Sequence, residues 1–267
     1  MIRPGAIGDF IVSLPAMESL RGGYTEVWSA GPNCALARFA DHARSIASTG
    51  LDLLGIEGVE APDSLLETLS AFDTIVSWYG ANRPEFRSAS APFPFHFLQA
   101  LPPAAYTRHA TDFYLEQACS LGARGSDPVP RIRCDVQRED FAVIHPFSGS
   151  PAKNWPLPRF RELAGWLPRV LWCAGPEEDL PGAVRFDDLY ALACWLASAR
   201  VYIGNDSGIS HLAAAVGTPT VALFGPSNPA VWEPRGERVC VIRAEPGEAA
   251  FEDIALQRVL DAIESVL

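Results

Sequence analysis

Short runs of consecutive apolar residues alternate with amphipathic stretches through the second half of the chain. Four such runs, each closed by a glycine or a proline, occupy positions 141–145, 170–174, 201–203 and 220–225. Between them, apolar residues recur at helical spacing, most clearly around 158–167. Continuous apolar strands that alternate with helices are typical of a parallel sheet covered on both faces, so this half is predicted to be an α/β domain.

The first half of the chain alternates in the same way, but less regularly. A helix is predicted after Asp9, and strands are predicted at 26–31 and 74–78. Positions 82–103 are rich in proline and aromatic residues, which predicts a loop or a short irregular segment.

A polar and charged stretch at 131–140 separates the two halves. The chain is long enough for two modest domains, which we place at 1–137 and 138–267, the first one shortened. The last helix, predicted at 251–266, carries an apolar stripe and is expected to pack back on the first domain.

The composition is that of an ordinary globular protein, with 48% hydrophobic and 20% charged residues. The net charge of -11 argues against a nucleic-acid binder, which would carry a basic footprint. The six cysteines form no C-x-x-C pair, so we expect buried reduced thiols and no metal site. No signal peptide or membrane-spanning run is present in the sequence. We therefore expect a cytoplasmic protein, with a peripheral contact to the inner membrane left open.

The most informative segment of the chain follows the apolar run at 201–203. It reads Gly-Asn-Asp-Ser-Gly-Ile-Ser-His at 204–211 and opens a short alanine-rich helix. Asp206 or Ser207 is expected to cap this helix, and Gly208 would let a ligand approach the backbone closely. The free N–H groups and the positive dipole end of such a helix suit a phosphate, so a phosphorylated ligand is predicted here.

Two further polar segments follow predicted strands. The segment 145–156 contains Ser148 and Lys153, which would either surround phosphates or belong to a solvated loop. The carboxylates at 177–179 would either accept hydrogen bonds from ribose hydroxyls or begin a helix. His211, one turn into the helix after 208, is either a packed residue or a phosphate contact.

A glycine-rich turn, Gly-Ala-Ile-Gly-Asp at 5–9, lies near the amino terminus. On its own it indicates a turn with Asp9 at the start of a helix, where a negative charge is favourable. It is not the G-x-G-x-x-G fingerprint of dinucleotide-binding domains, which argues against a nicotinamide dehydrogenase.

Taken in order, these segments resemble glycosyltransferase family 9, the family of the ADP-heptose:lipopolysaccharide heptosyltransferases. The sequence Arg-Pro-Gly-Ala-Ile-Gly-Asp at 3–9 looks like the amino-terminal signature of that family, and 145–156 looks like its middle signature. The segment 204–214, with Pro-Thr-Val-Ala-Leu-Phe-Gly-Pro at 219–226, is similar to its carboxy-terminal block. The resemblance covers most of the chain from 141 to 234.

The resemblance implies a GT-B fold, in which two Rossmann-like domains with parallel sheets face a central cleft. It implies an inverting, metal-independent glycosyltransferase that needs no cofactor, with the donor nucleotide on the second domain and the acceptor on the first. A sugar would move from a nucleotide donor, with ADP-heptose favoured, to a bacterial cell-surface glycan or a lipid-linked acceptor in lipopolysaccharide biosynthesis. The chain is shorter than members of the family usually are, mainly in the first domain, so the acceptor is left open.

The resemblance also implies catalytic roles for particular residues. Asp9 would be the general base that takes the proton of the acceptor hydroxyl. Lys153 would stabilise the negative charge that builds on the leaving diphosphate. The amides around Ser207 and Gly208, together with His211, would act on the same charge.

Three further residues are implied on the donor side. Ser148 would help to hold the phosphates. Glu178 would bind the ribose, although Glu177 and Asp179 are near enough to leave the register open. Asp206 would contact the donor sugar or cap the helix.

Three arginines flank the proline-rich segment of the first domain: Arg83, Arg87 and Arg108. Because they are local positive charge in an acidic chain, we hypothesise that some of them meet a phosphorylated or acidic acceptor. The alternative is that they are solvated loop side chains.

Two other functions compete with the transferase. One is a catalytically inactive GT-B module that binds a nucleotide sugar without transferring it. The other is a sugar-nucleotide epimerase on the same architecture, which the family signatures disfavour.

Overall fold

Two parallel β-sheets organise the protein, as the alternating pattern predicts. The computed structural model describes residues 1–125, 127–244 and 251–267, and within these ranges each sheet contains five strands. The strands of the first sheet are β1 Ile2–Arg3, β2 Glu26–Ser29, β3 His42–Ser45, β4 Ile75–Ser77 and β5 Phe95–Phe97. They are arranged in the order β3-β2-β1-β4-β5, and each neighbouring pair is parallel.

The second sheet is built in the same manner from the second half of the chain. Its strands are β6 Ala142–His145, β7 Val170–Trp172, β8 Val201–Asn205, β9 Thr220–Phe224 and β10 Val239–Arg243. Their order is β10-β9-β8-β6-β7, again with parallel neighbours. The expected α/β fold with two parallel sheets is confirmed.

Helices connect the strands of both sheets. The first half contains α1 Ile7–Ser19, α2 Asp63–Ser70, α3 Pro84–Ala89 and α4 Ala110–Ser120. The second half contains α5 Leu157–Ala164, α6 Leu189–Ser198, α7 Gly208–Ala215, α8 Pro229–Trp232 and α9 Leu256–Val266. Helix α1 packs against α4 and also against α7, so it connects the two halves.

The chain order reverses once within each sheet. In the first sheet β1 lies beside β4, and in the second sheet β6 lies beside β8. Open parallel sheets bind ligands in the crevice beyond the carboxyl ends of the strands at such a switch point. The segments that follow β1, β6 and β8 are the three that carry the predicted motifs, so the topology brings these motifs to the ligand-binding edges of the sheets.

The segment 82–103 differs from the expected loop, because it contains α3 and β5. Pro84 stands at the start of α3, where a missing N–H costs nothing. Phe86 is buried, and its ring meets those of Phe95 and Phe97 edge-on at centroid distances of 5.9 and 6.0 Å. The aromatic residues of this segment therefore cover an edge of the first sheet.

The last helix also differs from the expectation. The buried side chains of α9 belong to a cluster with residues of the second sheet and of α5. Helix α9 therefore packs on the second domain, whereas the sequence led us to expect packing back on the first. The physical reason is that its apolar stripe covers β9 and β10, whose outer face would otherwise be exposed.

The connection between the sheets runs along the second one. The Ile132 N–H donates to the carbonyl of Ala215 at 2.9 Å, and the Glu139 N–H donates to that of Ser198 at 2.7 Å. The division at 137/138 stays a prediction.

Candidate functional site

A cavity of about 270 Å³ lies between the switch points of the two sheets. The first domain contributes three residues at the start of α1 to its wall, and the second domain contributes the loops after β6, β7 and β8. The lining residues are Ala6, Ile7, Gly8, His145, Ser148, Gly149, Cys173, Ala174, Gly175, Pro176, Glu178, Phe186, Leu189, Leu192, Ser207, Gly208 and Ile209. Of the predicted donor-side residues, Ser148, Glu178, Ser207 and Gly208 thus lie at one cavity.

The amino terminus of α7 opens into this cavity. Ser207 is the N-cap, and its Oγ accepts the N–H of Ser210 at 3.4 Å. Asp206 does not cap the helix, because its Oδ2 pairs with Lys153 Nζ at 2.7 Å. The first-turn N–H groups of a helix are free donors, so the end of α7 can bind an anion at the cavity wall.

The Lys153–Asp206 ion pair joins two of the predicted segments. Asp206 is 7% exposed and Lys153 is 34% exposed, so the carboxylate is buried and the lysine side chain is partly exposed. Neither residue is among those that line the cavity. Asn205 fixes the loop that carries the lysine, since its side chain accepts the Trp155 N–H at 2.9 Å and donates to the Pro146 carbonyl at 2.8 Å. The ion pair therefore holds one positive charge beside the amino terminus of α7.

Ser148 is held within the same loop. Its Oγ donates to Asn154 Oδ1 at 2.7 Å and lies 2.8 Å from the carbonyl of Ser150. The hydroxyl group is thus used by the loop itself, and it would have to exchange a partner to bind a phosphate.

His211 is buried in the interface between the domains. The pKa of its ring is lowered to about 4, mainly by burial; the charge of Asp206 opposes this shift, and His109 and Lys153 contribute to it. The ring is therefore neutral at pH 7, so it offers a hydrogen bond to a ligand rather than a positive charge. Among the expected phosphate contacts, Lys153 is the one that brings a full charge.

Two glycines let the starts of α1 and α7 touch. A Cβ at Gly208 would stand 2.9 Å from Ile7 Cβ and 3.0 Å from the backbone N of Gly8. A Cβ at Gly8 would stand 3.3 Å from the Cδ2 of His211. The sequence predicted that Gly208 would let a ligand approach the backbone closely. In the structure, it is the start of α1 in the first domain that lies this close to Gly208.

Glu178 lies at the opposite wall of the cavity. Its Oε2 receives the Gly175 N–H at 2.6 Å and lies 3.0 Å from His145 Nε2. Burial opposes ionisation, but these hydrogen bonds and the charge of Arg185 hold the pKa of Glu178 below its ordinary value. Its neighbours Glu177 and Asp179 are exposed, which favours Glu178 among the three carboxylates.

Asp9 stands in the first turn of α1 and is half-buried. Its backbone carbonyl accepts from Nη2 of the buried Arg3 at 3.0 Å, and the same nitrogen donates to the Tyr114 hydroxyl at 2.9 Å. Burial raises the pKa of Tyr114 to about 12, so this hydroxyl stays protonated and donates to the Ala100 carbonyl at 2.8 Å. Gly5 precedes the helix with a φ of +135°, a region that favours glycine.

The three arginines lie away from this cavity. The Arg83 guanidinium is bound to the Tyr79 hydroxyl, and Arg87 is exposed with its guanidinium 5.4 Å from the centre of the Phe97 ring. Arg108 pairs with Glu116, so its charge already has a partner. Within the part of the chain that the structure describes, none of the three lines the cavity. Their contact with an acceptor stays a hypothesis.

The apolar wall of the cavity was not foreseen from the sequence. It is formed by Cys173, Phe186, Leu189, Leu192 and Ile209. Cys173 follows β7 directly and could have been found from the rule that ligands bind beyond the carboxyl ends of strands. Phe186 precedes α6, and the other three lie in helices α6 and α7. In the sequence, the apolar spacing of these helices indicated only a buried face.

Among the residues described by the structure, no group of three or more His, Cys, Asp or Glu side chains is placed to hold a metal ion. A search of the same residues finds no helix with the length and apolar character needed to cross a membrane.

Comparison with known proteins adds to these observations. The model of glycosyltransferase family 9 (heptosyltransferase) matches residues 178–255. The predicted resemblance to glycosyltransferase family 9 is confirmed. Lipopolysaccharide heptosyltransferase 1 of Pseudomonas aeruginosa is 32% identical over 172 residues, which are 53% of this chain and 47% of that protein. The match therefore spans about half the length of this relative.

Solved structures share the fold over nearly the whole chain. The structure of Escherichia coli ADP-heptose lipopolysaccharide heptosyltransferase II superposes with a TM-score of 0.73 at 20% identity, covering 99% of this chain and 97% of that one. Escherichia coli heptosyltransferase WaaC with ADP superposes with a TM-score of 0.72 at 18% identity, covering 100% and 98%. The expected GT-B fold is thereby confirmed. The family match includes Glu178, Asp206 and His211, but it begins after Asp9 and Lys153 in the sequence.

Proposed function

We propose that this chain is an inverting glycosyltransferase of family 9 that moves a sugar from a nucleotide donor to an acceptor hydroxyl. The observation that carries the proposal is the meeting of both switch points at one cavity. The start of α7 and the loops after β6 and β7 lie on one side, and the start of α1, the helix that carries Asp9, lies on the other. The family match to residues 178–255 supports the donor side of this cavity.

The donor would lie on the second domain. Its nucleoside would enter the apolar part of the cavity, with the ribose at Glu178 and the diphosphate at the start of α7. We propose ADP-heptose as the donor, because the matched relatives are named as heptosyltransferases and one neighbouring structure was solved with ADP. Asp206 would keep Lys153 in place through Oδ2 and would contact the sugar through Oδ1.

The chemical step would be a single displacement. The acceptor hydroxyl attacks the anomeric carbon and gives its proton to the Asp9 carboxylate, while the bond from that carbon to the diphosphate oxygen breaks. The electron pair leaves with the nucleoside diphosphate, where Lys153 and the N–H groups of α7 stabilise the charge. Attack from the side of α1 on a leaving group held at α7 inverts the anomeric centre. In this proposal, Lys153 and the N–H groups of α7 stabilise the charge on the leaving diphosphate, so this step needs no metal ion.

The acceptor would be a bacterial cell-surface glycan or its lipid-linked precursor in lipopolysaccharide synthesis. This part of the proposal rests on the names of the matched relatives and on the position of Asp9 in the first domain. An enzyme with such an acceptor would act in the cytoplasm at the surface of the inner membrane.

The variant Asp9→Asn tests the assignment of the base. We expect turnover to fall by about 100-fold or more, because removal of a general base costs roughly that much, while the dissociation constant for ADP stays within about twofold. Asp63→Asn is the matched control, since Asp63 is also acidic and in the first turn of a helix but is exposed and belongs to α2, a helix that contributes no residue to the cavity wall.

Two results would contradict the proposal. Full turnover of Asp9→Asn would remove Asp9 from the base role. A wild-type protein that binds the nucleotide sugar but neither transfers nor hydrolyses it would be the inactive GT-B module. Release of an isomerised nucleotide sugar would instead reveal an epimerase.

A further inference from the structure

A buried histidine holds the carboxylate that we place at the ribose. His145 ends β6 at the switch point and is 3% exposed. Its Nε2 lies 3.0 Å from Glu178 Oε2, and the Gly175 N–H reaches the same oxygen at 2.6 Å. Both bonds converge on Oε2, and among the described residues Oε1 receives no hydrogen bond. Because Glu178 lines the cavity, Oε1 is the oxygen left to accept a bond from a ligand.

The acceptor fixes the direction of the His145 bond. An ionised carboxylate has no proton to give, so Nε2 donates to Glu178 Oε2. The other ring nitrogen, Nδ1, is buried and has no hydrogen-bond partner among the described residues. Within the described part of the chain, the ring therefore bonds to the carboxylate alone.

The surroundings also keep Glu178 ionised. Although burial favours the neutral acid, the bonds from His145 and Gly175 hold the pKa of Glu178 below its ordinary value. An ionised carboxylate only accepts hydrogen bonds, so it suits a ligand that presents hydroxyl donors. Arg185 fixes the backbone beneath it, with Nη2 donating to the Glu178 carbonyl at 2.7 Å.

We propose that His145 is a positioning residue for nucleoside recognition, which orients Glu178 so that Oε1 accepts a hydrogen bond from a ribose hydroxyl. This inference rests on the donor site described under the proposed function. His145 itself does not touch the ribose, because its ring nitrogens are occupied by Glu178 or buried.

The test compares the binding of ADP with that of 2′-deoxy-ADP and 3′-deoxy-ADP by calorimetric titration. We expect the wild type to bind ADP about tenfold more tightly than at least one deoxy analogue, since a hydrogen bond to a charged group is lost. His145→Phe keeps an aromatic ring but removes the hydrogen-bond donor. It is expected to weaken the binding of ADP about tenfold and to abolish the preference for ADP over the deoxy analogues. His145→Gln, whose amide can still donate, is expected to restore part of that preference.

Two controls keep the result interpretable. His96→Phe changes an exposed histidine of β5 and is expected to leave nucleotide binding unchanged. If His145→Phe does not fold, His145→Asn replaces it, because the shorter amide lies near the Nδ1 position and does not reach Oε2.

Each contrary outcome points to a different error. If His145→Phe weakens ADP and both deoxy analogues equally, His145 is a packing residue and the inference is overturned. If the wild type binds ADP but does not distinguish it from either analogue, Glu178 does not bind the ribose, and the inference fails while nucleotide binding stands. If the folded wild type binds no nucleotide, the proposed function fails and the inference fails with it.

Discussion

At the scale of single residues, the candidate site depends on charges that are held in place before any ligand binds. Lys153 is fixed by the buried Asp206, and Glu178 by His145 and Gly175. Preorganised groups of this kind stabilise a developing charge without reorganising during the reaction. The site thus presents a positive group near the start of α7 and a negative group near the apolar wall. The positive group suits the diphosphate of a nucleotide, and the negative group suits the hydroxyls of its ribose.

Lys153→Met is expected to lower kcat by a larger factor than it lowers the affinity for the donor nucleotide. The charge on the leaving diphosphate grows during the reaction, so the loss of the ammonium group acts mainly on the transition state, by about 100-fold or more. Steady-state kinetics with titration of ADP measures both quantities. A loss of ADP affinity with an unchanged kcat would mean that Lys153 serves ground-state binding alone.

Two buried histidines are expected to make stability depend on pH. Burial lowers the pKa of both His109 and His211 from 6.5 to about 4. As pH falls below 6.5, the unfolded chain takes up protons that the folded chain does not bind until about pH 4, so stability is complete above pH 6.5 and is lost on acidification. Each histidine contributes up to about 3 kcal/mol to this loss.

Thermal midpoints between pH 7.5 and 5 measure this dependence. His109→Asn keeps an oxygen that can cap α4. In this variant the thermal midpoint is expected to depend less on pH than in the wild type. His42→Asn alters an exposed histidine and serves as the control. An unchanged slope in His109→Asn would contradict the buried neutral state of His109.

At the scale of elements, the contact between α1 and α7 depends on Gly208, where an added Cβ would come within 2.9 Å of Ile7. Gly208→Ala is expected to separate the two helices, because the new Cβ would clash with Ile7 and with the Gly8 backbone, neither of which can rotate away. We expect ADP affinity to be nearly retained and turnover to fall about tenfold or more, since Asp9 would move away from the donor.

Gly217→Ala is not a suitable control, because Gly217 has a φ of +79° and alanine would be strained there. Gly23→Ala is a better one, since Gly23 has no positive φ, has no atom within 4 Å of an added Cβ and lies outside the cavity wall. A crystal structure of Gly208→Ala with α1 and α7 still in contact would contradict this account.

The elements that the sequence predicted well are those buried on both faces. Every residue of β8 and of β9 is buried, so these strands read as continuous apolar runs. The strands β5 and β10 form sheet edges and are only partly buried, and neither was predicted. The strand β5 lies in the proline-rich segment that was predicted to be a loop, and β10 was missed although four of its five residues are apolar. The Ser207 cap could be predicted because it depends on a local sequence, whereas the contacts His145–Glu178 and Gly8–His211 join distant positions that no local pattern connects.

At the scale of the whole molecule, the domains are joined by a polar contact as well as by the apolar core. Arg235 of the second domain donates to both oxygens of Asp112 in α4 at 2.6 and 2.9 Å. The N-cap of α4, His109, bonds through Nε2 to the Glu233 carbonyl at 2.7 Å. These contacts place the first turn of α4 against the chain that follows α8, and they hold the cleft in the observed arrangement.

Arg235→Met is expected to loosen the contact between the domains. The pair is partly exposed, so its loss should cost only about 1 kcal/mol of stability, but the ligand-free protein should become more extended in small-angle scattering. Saturating ADP should restore the compact form. Arg159→Met, which removes an exposed ion pair within α5, is the control, and an unchanged scattering profile in Arg235→Met would contradict the account.

The central claim is that the cavity between the two sheets binds a nucleotide-sugar donor. The most direct test is calorimetric titration of the purified protein with ADP, UDP, GDP, CDP and ADP-heptose, with Glu178→Gln in parallel. We predict selective binding of ADP and ADP-heptose, and weaker binding of both to Glu178→Gln. A folded wild-type protein that binds none of these ligands, or that binds them all no better than inorganic phosphate, would contradict the claim.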